Sequence, residues 1–222
     1  MLFLNTNSLQ SKIYILLIII PLLLVSDQLM AKETRLLILG DSLSAAYGLK
    51  QEQGWVSLLQ DAWKNEDINI VNAAISGETT DGALARLPRL LEQHNPTHIF
   101  VELGGNDGLQ GHPVSKMRDN LEKIIQISHK KELKIVLQQM QIPTNYGKRY
   151  TQMFSNTYTK MATKHNLTLL PFFLENIALD KSLMQRDGIH PNAEAQIIIA
   201  KNMQKVLGEI IFPSRIKNNQ LE

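Results

Sequence analysis

Three short polar segments carry the groups in this chain best suited to chemistry: Gly40-Asp41-Ser42, Gly104-Gly105-Asn106-Asp107 and Asp187-Gly188-Ile189-His190. Between them they supply a hydroxyl, a side-chain amide, an imidazole and a carboxylate. Those are the parts needed to attack a carbonyl carbon and to hold the oxyanion that forms. Ser42 is the candidate nucleophile, two residues after a glycine that closes an apolar run. A helix starting nearby would surround it with free backbone N–H groups. His190 is the candidate general base, and Asp187, three residues earlier, is close enough in a turn to orient its ring. Gly188 permits that turn, and Pro191 fits the first turn of a final helix. Asn106 offers an amide donor, and Gly77 a backbone N–H. Each has a plainer reading as well. Asp41, Ser42 or Ser44 suits a helix cap, Asn106 an Asx turn, and Asp187 a cap beside a surface histidine.

The elements that must position these residues are legible in the apolar runs. Five short strands are predicted over Arg35–Leu39, Ile68–Ala74, Thr97–Leu103, Leu133–Leu137 and Leu167–Pro171. Helices with one apolar face are predicted over Trp55–Trp63, Thr79–Gln93, Val114–Ser128, Tyr150–His165 and Asn192–Leu207, with Pro88 a candidate kink. Strands alternating with helices point to an α/β fold, a mainly parallel sheet covered on both faces. Ligands bind such sheets beyond the carboxyl ends of the strands. Ser42 follows the first strand, Gly77 the second and Asn106 the third, and Asp187 and His190 precede the last helix. The order of elements therefore brings them towards one cleft. The segment Met140–Tyr150 lies beyond the fourth strand. Its Met140, Ile142, Pro143 and Tyr146 suit the border of an apolar pocket, or an ordinary surface loop.

The chain has 222 residues, a formal charge of +2 and no cysteine. Disulfide scaffolds and thiol catalysis are excluded. No basic block is dense enough to argue for nucleic acid. Residues Ile13–Val25 form an uncharged apolar run of 13 positions preceded by Lys12. That is shorter than the about 20 residues of a membrane helix and fits a secretory leader. Cleavage after Ala31 would leave one domain over 32–213 and a polar tail over 214–222; an uncleaved anchor is the competing reading. His94 and His98 do not form a zinc motif, and neither a phosphate-binding GxxxxGK[ST] loop nor a GxSxG elbow is present.

Four blocks together resemble the SGNH hydrolases, also called the GDSL family: Gly40-Asp41-Ser42-Leu43-Ser44, the segment Asn72–Gly77, Gly104–Asp107 and Asp187–Pro191. They occur in the family's order over about Arg35 to Ile211. The stretches LGDSLSAAYGL and NAAISGETTDGALAR are most similar to the family's bacterial periplasmic branch of multifunctional thioesterases, lysophospholipases and proteases. The resemblance implies a flavodoxin-like three-layer α/β/α sandwich with a five-stranded sheet. It implies Ser42 as nucleophile, His190 as base and Asp187 as its orienting acid, with Ser42, Gly77 and Asn106 as oxyanion donors. It implies hydrolysis of acyl esters and thioesters, including acyl-CoA, lysophospholipids and aryl esters, with no metal or organic cofactor. A carbohydrate acetylesterase of the same superfamily and a non-catalytic lipid- or peptide-binding domain are the alternatives. The expected protein is a monomer, periplasmic or secreted, with no membrane span after processing.

Overall fold

The computed structural model describes residues 33–213. The expected leader and the polar tail fall outside the described residues. Five strands run in chain order: β1 (Thr34–Gly40), β2 (Ile68–Asn72), β3 (His98–Glu102), β4 (Lys134–Gln138) and β5 (Thr168–Leu170). All neighbours pair in parallel, in the order β2-β1-β3-β4-β5. The middle of the sheet is nearly continuous Leu, Ile, Val and Phe because it is covered on both faces. Leu36 to Leu39 of β1 and Ile99 to Val101 of β3 are fully buried.

Among the described residues, six helices complete the two outer layers: α1 (Trp55–Ala62), α2 (Thr80–His94), α3 (Gly105–Leu109), α4 (Val114–Lys130), α5 (Lys148–His165) and α6 (Ala193–Ile211). α1 packs with α6, and α4 packs with both α2 and α5. Met117, Leu121, Ile124 and Ile125 form the buried stripe of α4, at the spacing that one helical face requires. The result is the expected α/β/α sandwich.

The expected elements are present with ends moved by a few residues. α2 runs through Pro88 without a break, and two local readings change. No regular helix starts at Ser42; the chain makes tight turns from Asp41 to Gly48 before a single 3-10 turn at Gln51–Gln53. Pro191 is not in the last helix. Asn192 is its N-cap, accepting from the N–H groups of Glu194 and Ala195 (both 3.1 Å), and Pro191 lies outside, bridged to Met184.

The sheet reverses its winding direction between β1 and β3, so loops leaving these two neighbours part to opposite sides. Ser42 follows β1 and Asn106 follows β3. The crevice they border lies beyond the carboxyl ends of these two parallel strands, where such sheets bind ligands.

Candidate active site

The turn carrying Ser42 is built from its neighbours. Asp41 Oδ1 accepts the Leu43 N–H (3.0 Å), and the Asp41 carbonyl accepts from Ser44 (3.2 Å) and Ala45 (3.0 Å). Beneath it lies Glu102, the last residue of β3 and fully buried. Its Oε2 accepts the Asp41 N–H (3.2 Å) and the Ser44 hydroxyl (2.8 Å). Gly40 is required here because a Cβ would meet Glu102 Oε2 at 2.8 Å and Ser44 Cβ at 3.0 Å. Burial, and then the neighbouring Asp41 charge, push the Glu102 carboxyl well above its ordinary range. Burial also raises Asp41 to about 6, against the hydrogen bond from Leu43. The other carboxyl oxygen of Glu102, Oε1, is buried without a hydrogen-bond partner.

The His190 imidazole is positioned by one carboxylate. Asp187 Oδ1 accepts the N–H groups of Ile189 (2.9 Å) and His190 (3.0 Å), while Oδ2 meets His190 Nδ1 at 2.7 Å. Gly188 has φ +68° with open space where a Cβ would sit, so backbone conformation rather than crowding calls for glycine. Burial would raise the Asp187 carboxyl, but the hydrogen bonds from His190 and Ile189 outweigh it and hold it near 2. An ionised carboxylate only accepts, so Nδ1 carries the ring proton and Nε2 is left as acceptor. Nε2 lies 2.9 Å from Ser42 Oγ. The Tyr47 ring covers the imidazole, with centroids 4.2 Å apart. Gln185 joins the two loops, its amide donating to the carbonyls of Tyr47 (2.7 Å) and Pro191 (3.0 Å).

Ser42, Asn106 and His190 open onto one cavity of about 460 Å³. Its far walls are largely apolar, with Leu109, Met140, Ile142, Pro143, Phe172, Leu174 and Met184. A hydroxyl, an acceptor imidazole and an oriented carboxylate in line beside an apolar hollow form an acyl-transfer geometry.

Comparison with known proteins agrees. Residues 38–196 match the model of the GDSL-like lipase/acylhydrolase family. The chain belongs to that family. It is 45% identical over 190 residues to thioesterase 1/protease 1/lysophospholipase L1 of Escherichia coli, covering 86% of this chain and 90% of that one. It is 46% identical over 169 residues to an arylesterase of Vibrio mimicus, covering 75% and 84%. The psychrotrophic esterase EstA of Pseudoalteromonas sp., whose crystal structure was determined with monoethylphosphonate as inhibitor, superposes with a TM-score of 0.78 at 48% identity. That likeness covers 80% of this chain and 98% of EstA.

In this acylhydrolase, Ser42, Asp187 and His190 therefore meet in one hydrogen-bonded line. Asn106 lies in the first turn of α3, which leaves β3 through Gly104 at φ +107°. Its amide donates to the Glu78 carbonyl (2.9 Å) and to Asp41 Oδ2 (3.2 Å). Gly77 does not line the cavity; it sits at φ +79° in the loop after β2. Among the described residues, the N–H groups of Ser42 and Gly77 donate to no protein acceptor. Met140, Ile142 and Pro143 line the cavity, but Tyr146 does not. Tyr146 borders a separate shallow hollow with residues 147–150 and Met153, and its hydroxyl donates to the Leu109 carbonyl (2.8 Å). It therefore stands behind the Leu109 wall.

Glu102, Thr80 and Gln185 had no role in the sequence reading. Glu102 alone carried a signal, as a carboxylate closing an otherwise apolar strand segment, Ile99–Glu102. Among the described residues, no cluster of three or more His, Asp or Glu side chains is arranged to hold a metal ion.

Proposed function

We propose that this protein hydrolyses acyl esters and thioesters through an acyl-serine intermediate, with Ser42 as nucleophile, His190 as general base and Asp187 as the group that fixes the imidazole. The observation that carries this reading is the line Asp187–His190–Ser42, with contacts of 2.7 and 2.9 Å, at the mouth of an apolar cavity. His190 takes the Ser42 proton as Oγ attacks the carbonyl carbon, then returns it to the departing alcohol or thiol. Water repeats the sequence on the acyl-serine, releasing the acid and restoring Ser42.

The carbonyl oxygen gains negative charge in both halves of the cycle. The free N–H groups of Ser42 and Gly77 and the amide of Asn106 receive it. Each such donor is worth about 3–4 kcal/mol in the transition state. The Asn106 amide spends its hydrogens on Glu78 and Asp41 in the resting site, so the longer bond to Asp41 is the one the oxyanion replaces.

Met140, Ile142 and Pro143 form part of the acyl wall, and Tyr146 supports it through Leu109. This wall suits a hydrocarbon chain better than a sugar. Acyl-CoA, lysophospholipid and aryl esters are the substrate classes favoured, as the names of the relatives also suggest. No helix among the described residues is long and apolar enough to cross a membrane. The hydrolase domain spans 32–213 and is exported as a monomer behind a leader cut after Ala31.

The decisive experiment is a panel of acyl-CoA, lysophosphatidylcholine, p-nitrophenyl ester and acetylated xylan, assayed on the wild type and Ser42→Ala. Turnover of the first three by the wild type, lost in the variant, is expected. Turnover of acetylated sugar alone would favour a carbohydrate acetylesterase. Equal turnover by both proteins would overturn the serine mechanism.

A further inference from the structure

The loop between β2 and α2, residues 73–79, carries Gly77 yet contributes little of its own to a fixed shape. Its backbone bonds are few: Ala73 N–H to the Ile38 carbonyl (3.0 Å), Ala74 N–H to Asn72 Oδ1 (3.1 Å), Ile75 N–H to the Gly40 carbonyl (3.1 Å), Glu78 N–H to the Ile75 carbonyl (3.1 Å) and, at the start of α2, Ala83 N–H to the Thr79 carbonyl (3.0 Å). Ile75, Ser76 and Gly77 are exposed. One side chain spans the loop from outside it. Arg86, two turns into α2, donates Nη2 to the Ala73 carbonyl (3.1 Å) at the loop's start. It donates Nε to Glu78 Oε2 (2.8 Å) at the loop's end, and Nη2 contacts the same oxygen. The Glu78 side chain is only 9% exposed. It lies over Gly82, where a Cβ would overlap Oε1. Backbone and side chain of Glu78 thus hold different partners, since its carbonyl accepts from Asn106.

We propose that Arg86 is a positioning residue for catalysis: through Glu78 and Ala73 it clamps both ends of the loop and sets the direction of the Gly77 N–H. This inference rests on the reading of Gly77 as an oxyanion donor. The chemistry explains the choice of residue. A guanidinium is a rigid planar fork that reaches two acceptors at once, and a lysine ammonium is a single point on a flexible stem. A buried carboxylate at Glu78 needs a fixed cation, and the second arm uses the same group to close the loop. Because the donor must meet negative charge that develops on the carbonyl oxygen only as the transition state forms, a small rotation of the loop lowers kcat and leaves substrate binding intact.

The test compares Arg86→Ala, Arg86→Lys and Glu78→Gln in steady-state hydrolysis of p-nitrophenyl butyrate, with thermal midpoints and inhibition by butylboronic acid, which forms a tetrahedral adduct on serine. Arg86→Ala is expected to lower kcat about 10- to 100-fold with KM within twofold. Boronate affinity is expected to fall by a similar factor, and added guanidinium chloride at low millimolar concentration to restore part of kcat. Lysine is expected not to substitute. Wild-type kcat in Arg86→Ala, or a fall in kcat with boronate affinity intact, overturns the proposal. Should Arg86→Ala not fold, Glu78→Gln decides by the same two readouts. Failure of the underlying reading looks different: Gly77→Ala, strained at φ +79° with open space around its Cβ, would then keep wild-type kcat and boronate affinity, whereas an oxyanion donor at Gly77 loses both whatever Arg86 does.

Discussion

Thr80 gives Asp107 two hydrogen bonds, one from its backbone N–H (2.8 Å) and one from its hydroxyl (2.6 Å), and both residues are buried. Thr80 is the first residue of α2, immediately beyond the loop that carries Gly77. Asp107 follows Asn106 in α3. One carboxylate therefore joins the loop after β2 to the helix after β3, and the Asn106–Glu78 bond closes a second link between them. Asn120 of α4 donates to the Thr80 hydroxyl (3.2 Å) and ties the pair to the outer layer.

Asp107→Ala would leave a buried N–H and a buried hydroxyl without their acceptor. The expected loss is about 3 kcal/mol of unfolding free energy. Thr80→Val keeps the backbone bond to Asp107 but removes the hydroxyl's bond to Asp107 and the one it accepts from Asn120, and should cost about 2 kcal/mol. Urea unfolding of both variants checks the order. Asp107→Ala as stable as the wild type would mean that the pair does not brace the site.

Asp187→Asn leaves the turn nearly isosteric but removes the acceptor that keeps the proton on His190 Nδ1. The amide can present its NH₂ to that nitrogen, which puts the ring proton on Nε2, facing Ser42. The imidazole then cannot accept the serine proton. A fall in kcat of about 10³-fold or more is expected, with little change in KM. Steady-state kinetics on an aryl ester measures it, and a fall below tenfold would remove Asp187 from the proposed mechanism.

Asp41 links stability to pH with a sign that can be stated in advance. Burial raises its carboxyl from 3.8 to about 6 in the folded protein, so the native state binds the proton more tightly than the unfolded chain. Its favourable contribution is complete below about pH 4 and is lost as pH rises through about 6, a swing of about 3 kcal/mol. Asp41→Asn removes this slope. Its absolute stability falls at every pH because an amide at this place sets an NH₂ against the NH₂ of Asn106. Unfolding free energies between pH 4 and 7 should therefore show the wild type losing stability relative to the variant. Parallel curves would refute the assignment.

These relationships mark where the sequence stops being readable. Apolar runs located all five strands because a parallel sheet buried on both faces allows little else. Ser42, Asn106, Asp187 and His190 stood out because their positions beyond strand ends and before the last helix were visible in the order of elements. Gly105–Leu109 did not read as a helix, since Gly-Asn-Asp-Gly-Leu has neither helix-forming residues nor an apolar period. Nor could the Glu102 bonds to Asp41 and Ser44 be read, because they depend on the register that sets Gly40 opposite Glu102. Nothing in the sequence singles out Thr80, a first-turn residue, or Arg86, a cation on an amphipathic helix. Both acquire their roles only when α2 is placed beside the loop it follows.

Ala178 gives a way to separate the acyl wall from the reacting atoms. It is a small, exposed residue lining the same cavity as Ser42, on the connection between β5 and α6. Tryptophan there would fill apolar space without adding charge and without touching the hydrogen-bonded line from Asp187 to Ser42. Each methylene of substrate kept out of the cavity forfeits about 0.8 kcal/mol, so excluding three or four should cost a long chain about 100-fold in kcat/KM. An acetyl group needs only the space beside Ser42. Ala178→Trp is therefore expected to lower kcat/KM for p-nitrophenyl decanoate about 100-fold while that for the acetate stays within threefold. An equal loss on both esters would put Ala178 at the reacting centre instead, and no loss on either would mean that acyl chains leave the site along another wall.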